Sequence, residues 1–174
     1  MFKTTANKIT LLRIVLIPVF LVLCYLEHRI AALLVYILAC LSDTLDGYIA
    51  RHYNQVSDFG KFMDPLADKM LVLAAMCFFV ERGQMPGWAM AVVLFREFAV
   101  SGLRLVAVEQ KRVIAAAWSG KVKTTCTMIG LGMMLVLGQV PYLNALVTAV
   151  ILITTVYSGV EYFQKNMDVF RNAD

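Results

Sequence analysis

Six apolar runs, roughly 9–27, 31–49, 62–80, 87–107, 119–139 and 142–162, take up most of this 174-residue chain. Each is close to the ~20 helical residues that span a bilayer core. Short polar breaks separate several of them: "EHR" at 27–29, "ERGQMPG" at 81–87 and "GQVP" at 138–141. None of the runs alternates with the two-residue period of a strand, and no internal repeat interrupts them. Such a chain must bury its apolar surface either in a large soluble core or in lipid. Composition favours lipid, with 60% hydrophobic and 16% charged residues, whereas soluble domains carry about half and a quarter. The expected fold is an all-α integral membrane protein of six transmembrane helices, forming a single domain over residues 1–174. The first run is long and contains Pro18, so it reads as a retained span rather than a cleaved leader.

Charge placement orients the spans. With the N-terminus inside, Lys3, Lys8, Arg51, Lys61, Lys111, Arg112, Lys165 and Arg171 fall on the cytoplasmic side, and Arg29 and Arg82 on the outer side. That is the positive-inside bias, which puts both termini in the cytoplasm. The net charge of +4 is modest, and no nucleic-acid partner is expected. The charges that intrude into the spans lie toward the same side. They are Arg13, Asp43, Asp46, Asp64, Asp68, Lys69, Arg96, Glu97, Arg104, Lys121 and Lys123. Ionisable groups at membrane depth are costly and usually face a wet or protein-lined cavity. A polar chamber open to the cytoplasm accounts for them. Snorkelling to headgroups serves as an alternative for the lysines and arginines, but poorly for the short-stemmed aspartates.

Asp43 and Asp46 are three residues apart, Asp64 and Asp68 four apart, and either spacing puts a pair on one helix face. The two helices should be antiparallel neighbours joined by a short cytoplasmic loop, so the pairs can meet. Four carboxylates together repel unless cations join them. Carboxylate oxygens suit hard divalent ions such as Mg2+ or Mn2+. Two ions per site is an arrangement used for phosphoryl transfer. Gly47 leaves room for a ligand near the backbone, or only for close helix packing. Arg51 can hold a phosphate through its fork of donors, or serve as a topological anchor. The four cysteines, Cys24, Cys40, Cys77 and Cys126, lie in apolar runs without metal-like spacing and are expected to be buried small hydrophobes.

The pattern Asp43-x2-Asp46-Gly47-x2-Ala50-Arg51-x8-Gly60-x3-Asp64-x3-Asp68 resembles the signature of the CDP-alcohol phosphotransferases, matching all eight of its fixed residues. The resemblance implies a six-helix membrane enzyme that joins a CDP-linked alcohol to an acceptor hydroxyl and releases CMP. It also implies that Asp43, Asp46, Asp64 and Asp68 bind two metal ions, with Asp68 as general base. Gly47, Arg51, Ser57 and Gly60 would line the CDP site. "NKITLLR" resembles the family's N-x-x-T-x-x-R segment, which would bring Asn7 and Thr10 near the nucleotide. The family further suggests a homodimer in the bacterial cytoplasmic membrane.

"REFAVSGLR" at 96–104, "SGKVKTT" at 119–125 and the ending "SGVEYFQKNMDVF" resemble members that use CDP-diacylglycerol and sn-glycerol 3-phosphate. An acceptor with its own phosphate needs cations apart from the metals, and Arg104, Arg112, Lys121 and Lys123 are the candidates. Lys121 and Lys123 point about 200° apart on a helix, so Lys121 and Arg104 are preferred for one phosphate. Arg96 and Glu97 suit a bracing ion pair as well as a catalytic role. Inositol phosphate, serine or phosphatidylglycerol remain alternative acceptors. A small transporter or cation channel is the competing class, though no polar path crosses the membrane. Gly120, Gly130 and Gly132 allow close packing of the fifth span against another span or another chain.

Overall fold

In the computed structural model, residues 5–52, 58–110, 112, 114–115 and 117–171 are described, and side chains are described outside 5–10, 43–52, 58–65, 68 and 170–171. Every regular element among them is helical: α1 (Thr5–Tyr25), α2 (Arg29–His52), α3 (Asp58–Glu81), α4 (Gly87–Glu109), α5 (Trp118–Leu137), α6 (Pro141–Lys165) and a short α7 (Asp168–Arg171). The first six answer to the six apolar runs. α3 begins four residues earlier than its run, at Asp58 instead of 62, because the helix continues through a polar segment that a hydropathy reading leaves out.

The chain forms two compact units, one of residues 1–82 with 131–138, the other of 83–130 with 139–174. In the first, α1 packs against α2 and α3, and α2 against α3. α1 presents a buried stripe of Arg13, Ile17, Phe20 and Cys24, spaced to recur on one face of a 3.6-residue helix. α2 answers with Ala32, Tyr36, Ala39 and Ser42. Its small residues let α1 approach closely, and the Phe20 and Tyr36 rings meet at 5.6 Å between centroids. Ala67, Leu71, Ala75 and Phe79 of α3 complete this core.

The α1–α2 turn closes by a Schellman arrangement. The His28 amide donates to the Leu23 carbonyl (3.0 Å) and the Glu27 amide to that of Cys24 (3.2 Å). Glu27 takes the left-handed conformation, φ 60°, where glycine is usual. Its carboxylate pairs with Arg82 at 3.2 Å. The α5–α6 connection follows the rule of glycine after a helix and proline at the next start. Gly138 has φ +66°, and a Cβ there would come 2.4 Å from Arg29 Nη1.

In the second unit, Val100, Leu103 and Ala107 of α4 form a cluster with Tyr162 of α6 and Val169 of α7. Gly130 explains one small residue of α5: a Cβ there would lie 2.7 Å from Val147 Cγ1 of α6. This close approach is made within the chain. The cysteine expectation needs correction. Cys24 is buried, Cys40 and Cys126 are half-buried, and Cys77 is exposed, because α3 turns position 77 away from its packed stripe of 67, 71 and 75.

Among the described residues, α6 alone is long and apolar enough to cross a membrane by length and composition. α1 and α2 carry shorter apolar stretches, Leu11–Tyr25 and Arg29–Ser42. Charged residues interrupt the others, such as Arg96, Glu97 and Arg104 in α4 and Lys121 and Lys123 in α5.

Candidate active site

The signature falls on two helix ends of the first unit. Asp43, Asp46, Gly47, Ala50 and Arg51 occupy the C-terminal part of α2, and Gly60, Asp64 and Asp68 the first turns of α3. Asn7 and Thr10 lie in the opening turns of α1. The side chains of all these residues lie outside the described ones, and Ser57 lies outside altogether. Helical register still constrains the site. By helical register, positions 43 and 46 follow the α2 positions 32, 36 and 39 in steps of four and three.

Where this register is described, it ends on a cation. Arg13 is fully buried, 0% exposed, and its Nε donates to Ser42 Oγ at 3.2 Å. Ser42 Oγ in turn donates to the Ala39 carbonyl at 2.8 Å. The sequence analysis placed Arg13 among the intruding charges and at the end of the N-x-x-T-x-x-R segment, with no role of its own. The signal that could have singled it out is its spacing from Ile17, Phe20 and Cys24, which assigns it to the packed stripe and not to the rim.

The second unit holds the basic candidates, each with a different partner. Lys123 is 4% exposed, and its Nζ bonds Glu97 Oε1 at 2.7 Å. Arg96 Nη1 reaches the same oxygen at 3.0 Å. Gly159 makes room for Arg96: a Cβ there would crowd its Cγ at 3.2 Å, whereas one at Gly120 would sit at ordinary contact distance, 3.6 Å from Nη2. One carboxylate thus serves two cations from α4 and α5. Removing one member of a buried ion group typically costs about 3–5 kcal/mol, since the remaining charge is left uncompensated. Glu97→Gln is therefore expected to lower the thermal midpoint in detergent sharply, and adding Lys123→Met should recover part of the loss. A wild-type midpoint for Glu97→Gln would rule out this bracing role.

Arg104 donates from Nε to Tyr162 Oη at 2.9 Å, with its guanidinium carbon 5.5 Å from the ring centroid. Arg112 pairs with Asp168 at 2.6 Å and holds that carboxyl below its ordinary range by hydrogen bonding. Lys121 is exposed, with Nζ 5.9 Å from the Trp118 ring centroid. Lys121 and Lys123 thus differ in environment, one at the surface and one in the ion group, as their angular separation on α5 requires.

The pattern of the CDP-alcohol phosphatidyltransferase family matches residues 3–157, and the chain belongs to that family. It is 38% identical to the CDP-diacylglycerol–glycerol-3-phosphate 3-phosphatidyltransferase of Bacillus subtilis (strain 168), with 97% of each chain covered. It is 37% identical to a probable phosphatidylglycerophosphate synthase of Mycobacterium tuberculosis, over 90% of this chain and 78% of the relative. A Rickettsia typhi enzyme named like the Bacillus one is 34% identical, over 93% and 96% respectively.

Proposed function

We propose that this chain transfers the phosphatidyl group of CDP-diacylglycerol to sn-glycerol 3-phosphate, giving phosphatidylglycerol 3-phosphate and CMP. The observation that carries this reading is the eight-residue signature on adjoining ends of α2 and α3, in a chain alike over 97% of its length to a relative named for that reaction.

The donor set suits divalent metal. Four carboxylates on two helices of one compact unit supply the hard oxygen ligands that Mg2+ and Mn2+ prefer. Asp43, Asp46, Asp64 and Asp68 would hold two such ions, which when bound neutralise pyrophosphate charge and polarise its phosphoryl oxygens. Gly47 and Gly60 leave space for the nucleotide, and Arg51 offers its fork of donors to a phosphate. Asn7, Thr10 and Ser57 complete the CDP site. Asp68 takes the proton from the C1 hydroxyl of glycerol 3-phosphate. The alcohol oxygen then bonds to the phosphorus that carries the diacylglycerol. The bond from that phosphorus to the bridging oxygen breaks, and CMP leaves with the electron pair. No covalent enzyme intermediate is required.

Six helices cross the bacterial cytoplasmic membrane with both termini and the reaction on the cytoplasmic side, and the chain works as a homodimer. The outward faces of the helices support the membrane setting. Large apolar side chains are exposed on all six, among them Val15, Leu38, Met70, Phe95, Ile129 and Ile153, far more than a soluble monomer leaves to water. Of the charged residues that interrupt α4 and α5, Arg96, Glu97 and Lys123 join in the ion group and Arg104 bonds Tyr162.

Lys121 and Arg104 hold the acceptor phosphate, while Lys123 and Arg112 serve Glu97 and Asp168. The test is CMP release by purified protein given CDP-diacylglycerol and one acceptor at a time: glycerol 3-phosphate, inositol 3-phosphate, serine or phosphatidylglycerol. Glycerol 3-phosphate is expected to be used best, and a preference for another acceptor would overturn the assignment. Lys121→Ala should raise KM for glycerol 3-phosphate about tenfold, the loss of one charge-assisted contact of ~1.4 kcal/mol, with little change for CDP-diacylglycerol. Equal effects on both would move the acceptor phosphate elsewhere.

A further inference from the structure

A charge at the end of an apolar stripe is unusual enough to need a reason. Arg13 begins the buried face of α1 that continues through Ile17, Phe20 and Cys24, and it is more completely enclosed (0%) than Ile17 (7%) or Cys24 (5%). A guanidinium stays charged in any protein environment, and burying a charge is costly unless negative charge compensates it. A topological anchor would extend its head to the membrane surface. Arg13 instead directs its Nε across the helix seam to Ser42 Oγ, and Ser42 is tied to its own helix through the Ala39 carbonyl. Position 43 follows directly, its Cα ~3.8 Å further along the chain.

We propose that Arg13 is a positioning residue of the active site. Through Ser42 it sets the height and rotation of the carboxylate-bearing end of α2 against α1, and its fixed positive charge offsets the mutual repulsion of the four aspartates. This rests on reading those aspartates as the metal ligands. Arg13 and the bound ions then act on the same repulsion. Without Arg13, the acid cluster attracts divalent ions more strongly, and the stabilisation gained on binding them grows with affinity.

The test uses the full-length protein in detergent, with thermal midpoints in EDTA and in saturating MnCl2, and with kcat and KM measured separately. Wild type should gain stability from Mn2+. Arg13→Met should fall in EDTA and gain more from Mn2+ than wild type does. With metal saturating, its kcat should drop about 100-fold, the size of effect that a misplacement of about 1 Å produces, at nearly unchanged KM for CDP-diacylglycerol. Arg13→Lys keeps the charge and should show the wild-type gain from Mn2+ with a partial loss of kcat. Ser42→Ala removes the tie alone and should lower kcat several-fold while leaving that gain unchanged. A purely structural arginine would lower both midpoints equally in Arg13→Met, and that outcome overturns the proposal. Should Arg13→Met fail to fold, a wild-type kcat in both Arg13→Lys and Ser42→Ala overturns it as well. If wild type and Asp64→Asn respond alike to Mn2+ and are equally active, the metal-site reading itself fails and this inference with it. A wild-type response to Mn2+ that Asp64→Asn lacks upholds that reading whatever the Arg13 variants do.

Discussion

Asp68→Asn is expected to lower kcat by about 10²–10⁴-fold, the usual contribution of a positioned general base. The substitution keeps the side chain's size and one oxygen, so a metal contact can persist, but the amide cannot accept a proton. The acceptor hydroxyl must then attack while still protonated. Nucleotide affinity should survive in part, since Gly47, Arg51 and the other three aspartates are untouched. Measured as CMP release alongside CDP binding, the variant separates chemistry from substrate capture. Turnover near wild type would take the base role from Asp68.

Removing divalent ions should abolish turnover altogether, and Mg2+ or Mn2+ should restore it. The physical reason is the number of negative charges involved. Four carboxylates, a pyrophosphate and a phosphorylated acceptor cannot gather without cations between them. The first unit carries Lys8 and Arg13 early in α1, Arg51 late in α2 and Lys61 and Lys69 early in α3, and five fixed charges do not balance that excess. EDTA treatment followed by titration with each metal, read as CMP release, checks this. Turnover that persists in EDTA would rule out the two-metal reading. The acid cluster should also bind Mn2+ without substrate, which calorimetry on the unliganded protein would detect.

Much of the architecture is legible in the apolar runs, because a helix that buries or exposes an apolar face must repeat it along its length. The turns were marked too: glycine and proline at 138 and 141 stand where α5 stops and α6 begins. The start of α3 was not legible, since polar helical residues leave no trace in hydropathy. The exposure of Cys77 was missed for a related reason. Composition says that a cysteine lies in an apolar segment, and only the packed face of α3 says which way it points.

The sequence by itself determined the helical class, the six long helices and the placement of the signature residues along α2 and α3. Those depend on spacing along single helices, where 3.6 residues per turn is the only geometry needed. Tertiary structure decided the fate of the individual cations. In sequence, Arg13, Lys121 and Lys123 are all charges near the ends of apolar runs. In the fold, Arg13 closes the α1–α2 seam at Ser42, Lys123 shares Glu97 with Arg96, and Lys121 stays at the surface beside Trp118. Partner choice for a charge depends on which helices meet and at what rotation, and no local pattern encodes that.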